Sequence, residues 1–455
     1  MSKNNQPSCD IEKNVLYVAG LGMFLSTLDS GIMNVALPSL QTLFHTNTLI
    51  ISWTISFYLI AITACIISFG KMGDHYGRLK IFRFGLVIFF ICSLLCGLAN
   101  NIVLLIILRT FQGIGAAMMQ ATAAALITTL LPDERKSFGL GMLVAILGFG
   151  PILGPIIAGF AISWLSWKWI FWINIPVCFF VLQRSFKIHD TSLYRTLIFK
   201  NKVTFLLLPC IISTSMLGLV LISLNLTLST CLFLLSAILL TVLMIRNIKL
   251  FVKERFFLIM RSLFTGFFAT FTFGFSTAII LMLPPFFLEK TLAMAPWKIG
   301  FYSLCAPIGI ILSARYSSFF VKKFGSKTIM LVGLCSLVVT LLLLAVTLNE
   351  WLFSLPLLLF FYGLGGGLFQ PANQLFLMNK AAANQQGTMG ATHRMIHNLG
   401  NMVGLTVAAT LIELPLSQTI INHQSFQQVL ITAIILLILA SFGLYCTEDT
   451  KKLNV

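Results

Sequence analysis

Long apolar stretches alternate with short polar ones along the whole chain. Each stretch is about 20 residues long and lacks strand-like alternation, so each is long enough for one membrane-spanning helix. Fourteen helices are predicted, although two of the separating turns are very short or barely polar. The stretches cover residues 15–37, 50–72, 81–99, 102–131, 138–164, 167–184, 203–223, 228–246, 262–288, 297–321, 328–348, 351–378, 389–413 and 426–446.

The composition supports the same interpretation. Apolar residues make up 58% of the chain and charged residues only 9%, whereas a soluble domain carries about 25% charged residues. Lipid tolerates this balance, and within lipid only helices or closed barrels satisfy every backbone polar group. The sequence therefore predicts an all-α polytopic membrane protein.

The basic residues predict the orientation of the chain. Most of the 30 Lys and Arg residues fall in alternate connecting segments, and cytoplasmic segments of membrane proteins are rich in such residues. This bias places both termini in the cytoplasm of a multi-pass plasma-membrane protein, with the bacterial inner membrane expected. The net charge of +17 then faces anionic lipid, so no nucleic-acid partner is predicted. The exceptions are Lys168, Lys290 and Lys298 in outer segments, and Arg109, Arg315 and Arg394 within helices.

The predicted helices divide as six plus two plus six. The seventh and eighth contain few polar residues and resemble a pair inserted between two working halves, and no sizeable soluble domain is present. We expect a monomer. The predicted parts are a cytoplasmic N-terminus (1–14), an N-terminal six-helix bundle (15–184), a linker with two inserted helices (185–261), a C-terminal six-helix bundle (262–446) and a cytoplasmic C-terminus (447–455).

A charged, glycine-rich segment joins the second and third predicted helices. Residues 70–80 match the G-x-x-x-D-x-x-G-R-x-K signature of the major facilitator superfamily. Glycines permit a tight turn and close helix approach, and the acid can pair with cations or cap a helix end. The segment is interpreted as a gate, with a solvated charged loop as the alternative. This gating motif comprises Gly70, Gly73, Asp74, Gly77, Arg78 and Lys80.

Three further stretches resemble the fourteen-helix drug:proton antiporter branch of that superfamily. They cover residues 28–38, 148–159 and 167–176, with Gly31 in place of the usual Thr and Ala158 in place of the usual Gly. The resemblance implies two six-helix bundles of inverted repeats that alternate access by rocking. It also implies export of amphipathic or cationic small molecules in exchange for protons. The antiporter motif in the fifth helix comprises Gly150, Pro151, Gly154, Pro155 and Gly159.

Asp29 and Arg109 are the predicted proton-coupling residues. A carboxyl group in a low-dielectric site can exchange a proton, because burial disfavours its charged form. Positions 109, 112 and 120 share one helical face, which must look into a cavity or against protein because a lipid-facing arginine is costly. The alternatives are a structural acid at Asp29 and a structural ion pair at Arg109.

Polar and aromatic residues of both halves are candidates to line a substrate cavity. His397 could also titrate near neutral pH, although a structural role is the commoner one, and some of the phenylalanines must contact lipid or neighbouring helices. The pattern assigns no role to Arg315 or Glu413. The candidates are Asn34, Gln112, Gln120, Phe268, Phe271, Gln370, Asn373, His397 and Asn401.

The chain offers no signal for other chemistry. It lacks a G-x-x-x-x-G-K-[ST] loop, so a gradient of protons or another cation must supply the energy. No metal-ligand cluster or nucleophile–base pair is evident, so no metal, cofactor or enzymatic activity is predicted. A dedicated exporter of one metabolite, lipid or siderophore is the alternative function. A non-transporting membrane sensor is the alternative from another class.

Overall fold

The computed structural model describes most of both predicted halves. The predicted helices at 203–223 and 228–246 lie mainly outside the described residues, and the few residues described there are helical. Within the described part, eleven helices are long and apolar enough to cross a membrane, so the chain is a multi-pass α-helical membrane protein. The count of fourteen stays a prediction. The described residues are 9–188, 211, 213–215, 217–218, 231–232, 234–236, 238, 255–347, 351–380, 386–413 and 423–446.

The chain divides into two compact units. The first contains Met1–Leu239 and Met294–Gly300, and the second contains Leu240–Ala293 and Phe301–Val455. The helices before the division are α1 Cys9–Leu43, α2 Thr48–Tyr76, α3 Arg78–Cys96, α4 Ile102–Leu130, α5 Asp133–Phe160, α6 Trp169–Trp172 and α7 Asn174–Phe186. The remaining helices are α8 Arg255–Lys290, α9 Pro296–Ser303, α10 Cys305–Phe324, α11 Ser326–Val346, α12 Trp351–Met378, α13 Gln386–Glu413 and α14 His423–Tyr445, and α9 falls in the first unit as far as Gly300.

Several helix boundaries differ from the hydropathy pattern. The predicted sixth helix consists of α6 and α7, the predicted tenth consists of α9 and α10, and a π-helical turn at Ala161–Leu165 extends α5. Helix α1 begins at Cys9, before the predicted start at residue 15. The polar residues of its first turns have partners there: Glu12 forms a 3.1 Å ion pair with Arg135, and Asn14 accepts a 3.4 Å hydrogen bond from Arg184.

Each unit pairs its helices in the same way. In the first unit α1 packs on α5, and both α2 and α3 pack on α4. In the second unit α8 packs on α13, and both α10 and α11 pack on α12. If the two segments α9 and α10 count as one helix, the first pairs with the fifth, and the second and third pair with the fourth, in both units. The shared pattern is what an internal repeat of six helices produces.

Close packing of α1 on α5 depends on two glycines of the antiporter motif. A Cβ atom on Gly150 would lie 2.7 Å from the backbone nitrogen of Leu28, and one on Gly154 would lie 2.6 Å from the carbonyl carbon of Gly31. Small residues let membrane helices approach backbone to backbone. We call this contact the glycine seam. It holds the α1 backbone on both sides of Asp29.

We expect Gly154→Ala to lower the stability of the protein, because its methyl group meets backbone that no side-chain rotation can move. Overpacking of this kind typically costs about 1–3 kcal/mol. The control is Gly70→Ala in α2, where a Cβ atom would have no neighbour within 4 Å. Melting temperatures in detergent measure both, and equal values for the two variants would contradict the close α1–α5 contact.

Candidate functional site

A fully buried ion pair joins α1 to α4. The Nη1 atom of Arg109 donates a hydrogen bond to Oδ2 of Asp29, and the two side chains are 0% and 1% exposed. Removing two charges from water costs several kcal/mol for each ion, so such a pair persists only with further hydrogen bonds. The surrounding helices supply them.

Gln112 and Asn174 complete the surroundings of the ion pair. Gln112 accepts a 2.7 Å hydrogen bond from Arg109, and its Nε2 donates to Oδ1 of Asp29 at 3.2 Å and to Oγ of Ser93 at 2.8 Å. Asn174 donates from Nδ2 to Oδ1 of Asp29 at 3.2 Å. These five side chains form the polar cluster. It brings together residues of α1, α3, α4 and α7.

Helix α2 closes the other side of Arg109. The Nε atom of Arg109 donates to the carbonyl oxygen of Thr54 at 3.2 Å, and its guanidinium carbon lies 4.2 Å from the centre of the Tyr58 ring. An aromatic face attracts a cation in this geometry. The Tyr58 hydroxyl donates to the carbonyl oxygen of Ser26, whose own hydroxyl accepts a 3.1 Å hydrogen bond from Gln120. The predicted polar face of α4 therefore lies against protein.

The arrangement couples the charge of Asp29 to helix packing. Three donors, from Arg109, Gln112 and Asn174, converge on its carboxylate. A proton on Asp29 would remove the negative charge and leave the buried guanidinium without its counter-ion. Because an uncompensated buried charge is costly, protonation would weaken the attachment of α1 to α4.

The gating motif ends α2, begins α3 and attaches both to α4. Gly77 adopts a φ of 109°, which favours glycine, at the junction between the two helices. Arg78 forms a 2.6 Å ion pair with Asp74 and donates from Nη1 to the carbonyl oxygen of Ala125 at 3.2 Å. Gly73 lies against Thr122, whereas Gly70 has open space and Lys80 is exposed.

The predicted cavity residues differ in exposure. Gln112 is buried in the polar cluster, and Asn373 is buried while donating a 2.7 Å hydrogen bond to Thr270. His397 is half-buried, stacks on Phe273 with ring centres 5.5 Å apart and lies 3.4 Å from Asn401. The remaining candidates are also half-buried: Asn34, Gln120, Phe268, Phe271, Gln370 and Asn401.

Sequence reasoning missed part of the polar cluster. Asn174 and Ser93 were given no role in the sequence analysis. Asn174 had a usable signal, because it is one of two amides within the apolar span Trp169–Phe186. Ser93 had none, since serine is common in membrane helices and often bonds to its own backbone.

The sequence of the chain matches a known protein family and several of its members. The pattern of the Major Facilitator Superfamily matches residues 19–405 and, in a second match, residues 262–454. The chain belongs to the major facilitator superfamily. Its relatives include the riboflavin transporter RibZ of Clostridioides difficile (strain 630), 28% identical over 401 residues that cover 86% of each chain. Multidrug resistance protein 3 of Bacillus subtilis (strain 168) is 26% identical over 86% of this chain and 77% of its own.

Solved structures of this superfamily share the fold. A D-xylose–proton symporter superposes with a TM-score of 0.71 at 15% identity, covering 96% of this chain and 98% of its own. A bacterial homologue of the human lysosomal transporter Spinster gives a TM-score of 0.64 at 13% identity, covering 97% of each chain. At these identities the likeness concerns the fold alone. As a superfamily member, the protein is a transporter of small molecules.

We expect either single change, Asp29→Asn or Arg109→Gln, to destabilise the protein by about 3–5 kcal/mol, because each leaves one buried charge uncompensated. The double variant Asp29→Asn/Arg109→Gln should recover much of this loss, since it removes both charges. Melting temperatures of all three variants test the coupling.

The control for these three variants is the ion pair of Glu12 with Arg135 at the end of α1. The Arg135 side chain of this pair is 58% exposed. Because Arg135 itself reaches water while Glu12 is only 11% exposed, Arg135→Gln should lower the melting temperature less than either substitution in the fully buried pair. Additive effects of the two cluster substitutions would mean that Asp29 and Arg109 do not stabilise each other.

Proposed function

We propose that this transporter is a proton-coupled antiporter that exports amphipathic small molecules of the multidrug type. It acts as a monomer in the bacterial inner membrane, with both termini in the cytoplasm and the six-plus-two-plus-six helix order. The resemblance to the drug:proton antiporter branch supports this, as do relatives named for multidrug resistance. The buried ion pair of Asp29 and Arg109 carries the proposal, because it makes helix packing depend on one proton.

The proposed mechanism exchanges a proton for a substrate molecule. A proton taken up from outside neutralises Asp29, which weakens the pairing of α1 with α4 and favours one access state. Release of the proton to the cytoplasm restores the ion pair and favours the other state. Gln112 and Asn174 keep the carboxyl group oriented in both, while the glycine seam keeps the α1 backbone in place. A ligand or proton shifts such an equilibrium only through its different affinity for the two states.

The half-buried residues supply the proposed substrate contacts. Phe268 and Phe271 offer aromatic surface, while Gln370, His397 and Asn401 offer hydrogen-bonding groups. Pockets for small molecules commonly combine a mostly apolar lining with a few polar groups that fix orientation.

A dedicated exporter of one metabolite is the second candidate. The relative named as a riboflavin transporter favours it, because that match covers 86% of both chains. The two candidates differ in breadth: a multidrug exporter is stabilised by many unrelated amphipathic compounds, and a dedicated exporter by one structural class. A thermal-shift screen of the purified protein separates them.

We expect Asp29→Asn to uncouple transport, because its amide cannot exchange the proton. In proteoliposomes with an imposed pH gradient, wild-type protein should accumulate a fluorescent amphipathic dye. The variant should lose gradient-driven accumulation at least about tenfold and still equilibrate the dye. Glu12→Gln, which changes another carboxylate of α1, should keep gradient-driven transport. Undiminished accumulation by Asp29→Asn would remove Asp29 from the mechanism.

We expect Arg78→Ala to slow dye transport without abolishing dye binding, because it frees Asp74 and releases the carbonyl oxygen of Ala125. The readouts are initial transport rate and dye affinity, measured separately. Lys71→Ala removes an exposed cation from the same segment outside the signature, and it should leave both unchanged. Equal effects of the two substitutions would favour the solvated-loop interpretation of the gating motif.

A further inference from the structure

The side chain of Tyr58 joins three of the helices around the ion pair. Tyr58 lies in α2, ten residues after the start of that helix, and its side chain is 0% exposed. Its ring faces the guanidinium of Arg109 in α4, and its hydroxyl donates a 3.2 Å hydrogen bond to the carbonyl oxygen of Ser26 in α1. One buried side chain of α2 therefore contacts α4 through its ring and α1 through its hydroxyl.

The backbone of Tyr58 is fixed to α4. A Cβ atom on Gly113 would lie 2.6 Å from the carbonyl oxygen of Tyr58, so the two helices meet there backbone to backbone. One turn earlier in α2, the carbonyl oxygen of Thr54 accepts the hydrogen bond from Nε of Arg109. Because α2 and α4 are held together at both points, a shift of α1 against α4 changes the hydrogen bond between Tyr58 and Ser26.

Ser26 also contacts a residue that is proposed to bind substrate. Gln120, half-buried in α4, donates a 3.1 Å hydrogen bond to the Ser26 hydroxyl. Ser26 lies three residues before Asp29, on the same side of α1. A continuous chain of contacts therefore leads from the proposed substrate site to the ion pair: Gln120, Ser26, Tyr58, Arg109 and Asp29.

The Tyr58 hydroxyl is not required to pair its acceptor. The carbonyl oxygen of Ser26 also accepts a 3.1 Å hydrogen bond from the hydroxyl of Ser30. Tyr58→Phe would therefore keep an aromatic ring on Arg109 and leave this carbonyl with a partner. Since the large cost of removing a hydrogen bond comes from buried groups left unpaired, the variant should fold.

We propose that Tyr58 is a positioning residue that couples occupancy of the substrate site at Gln120 to protonation of Asp29. A proton on Asp29 would weaken the attachment of α1 to α4, and the Tyr58 hydroxyl would carry the resulting shift to Ser26 and its partner Gln120. The coupling is reciprocal, because each ligand must change the affinity for the other by the same factor. The proposal rests on the proposed antiport function and names the residue that joins its two sites.

The test is a double-mutant cycle on dye affinity. Asp29→Asn represents the neutral carboxyl group, and Tyr58→Phe removes the hydroxyl. The dissociation constant of rhodamine 6G, an amphipathic dye, is measured by fluorescence anisotropy for wild-type protein, both single variants and the double variant in phosphatidylcholine nanodiscs. Asp29→Asn should change this constant about tenfold in wild-type protein, which is a typical coupling between two sites, and about twofold or less in the Tyr58→Phe background.

Tyr362→Phe is the matched control. Tyr362 is a tyrosine of the second unit that is 1% exposed, and its hydroxyl lies 2.7 Å from Oγ of Ser276. The change removes an equally buried hydroxyl outside the chain of contacts, so it should leave the tenfold effect of Asp29→Asn intact. The role of Tyr58 would be overturned if that effect were missing from wild-type protein, persisted in Tyr58→Phe, or disappeared equally in Tyr362→Phe.

A second measurement does not depend on the folding of Asp29→Asn. In proteoliposomes with an imposed pH gradient, Tyr58→Phe alone should accumulate rhodamine 6G about tenfold less than wild-type protein, while its dissociation constant changes about twofold or less. A purely structural role would instead lower the melting temperature and weaken binding and accumulation together, which would contradict the proposal. Tyr362→Phe should keep both binding and accumulation.

Ser26→Ala replaces Tyr58→Phe if the latter does not fold. This variant removes the acceptor of Gln120 and keeps the carbonyl oxygen that Tyr58 uses. It should lower accumulation about tenfold with little change in dye affinity. Undiminished accumulation by Ser26→Ala would break the chain of contacts and overturn the coupling through Tyr58.

The two proposals fail in different ways. If wild-type protein accumulates the dye under a pH gradient and Asp29→Asn has the same effect in both backgrounds, the antiporter stands and the role of Tyr58 is overturned. If the effect depends on Tyr58 but wild-type protein moves no dye under the gradient, the coupling stands and the antiporter is overturned. Absence of rhodamine 6G binding to wild-type protein would overturn both the proposed substrate class and the coupling.

Discussion

The buried ion pair between Asp29 and Arg109 is the constraint around which the first unit is arranged. Two charges inside a membrane protein require hydrogen-bonding partners, and Thr54 of α2, Gln112 of α4 and Asn174 of α7 provide them. The placement of Gln112, Asn174 and the Thr54 carbonyl follows from this demand. Packing adds a second constraint, because the close approach of α5 holds the α1 backbone that carries the Asp29 carboxylate.

The second unit repeats the helix pairing but not the charge arrangement. The buried polar contacts of its described residues include pairs of neutral groups, such as Asn373 with Thr270 and Ser276 with Tyr362. One helix arrangement therefore carries different buried contacts in the two units.

The helical membrane fold could be predicted because the length of each apolar stretch and the positions of the basic residues can be read directly from the sequence. Asp29, Arg109 and Gln112 could also be predicted as a site, because charged and amide groups within membrane helices are costly unless they have polar partners. Asn174 carried the same kind of signal, but its partner could not be predicted, because the contact of α7 with α1 joins residues far apart in sequence. The breaks between α6 and α7 and between α9 and α10 leave hydropathy unchanged, so no apolar pattern reveals them.

The glycine seam has a consequence for how such a protein can diverge. Helix α5 contacts the backbone of α1 at Leu28 and Gly31, an atom set that every amino acid shares, and it meets one α1 side chain, that of Thr27. Position 31 illustrates this, with glycine here and threonine in the motif that it resembles. Natural selection can therefore exchange α1 side chains one at a time while the carboxylate of Asp29 stays in register, and new specificities can arise without rebuilding the charged core.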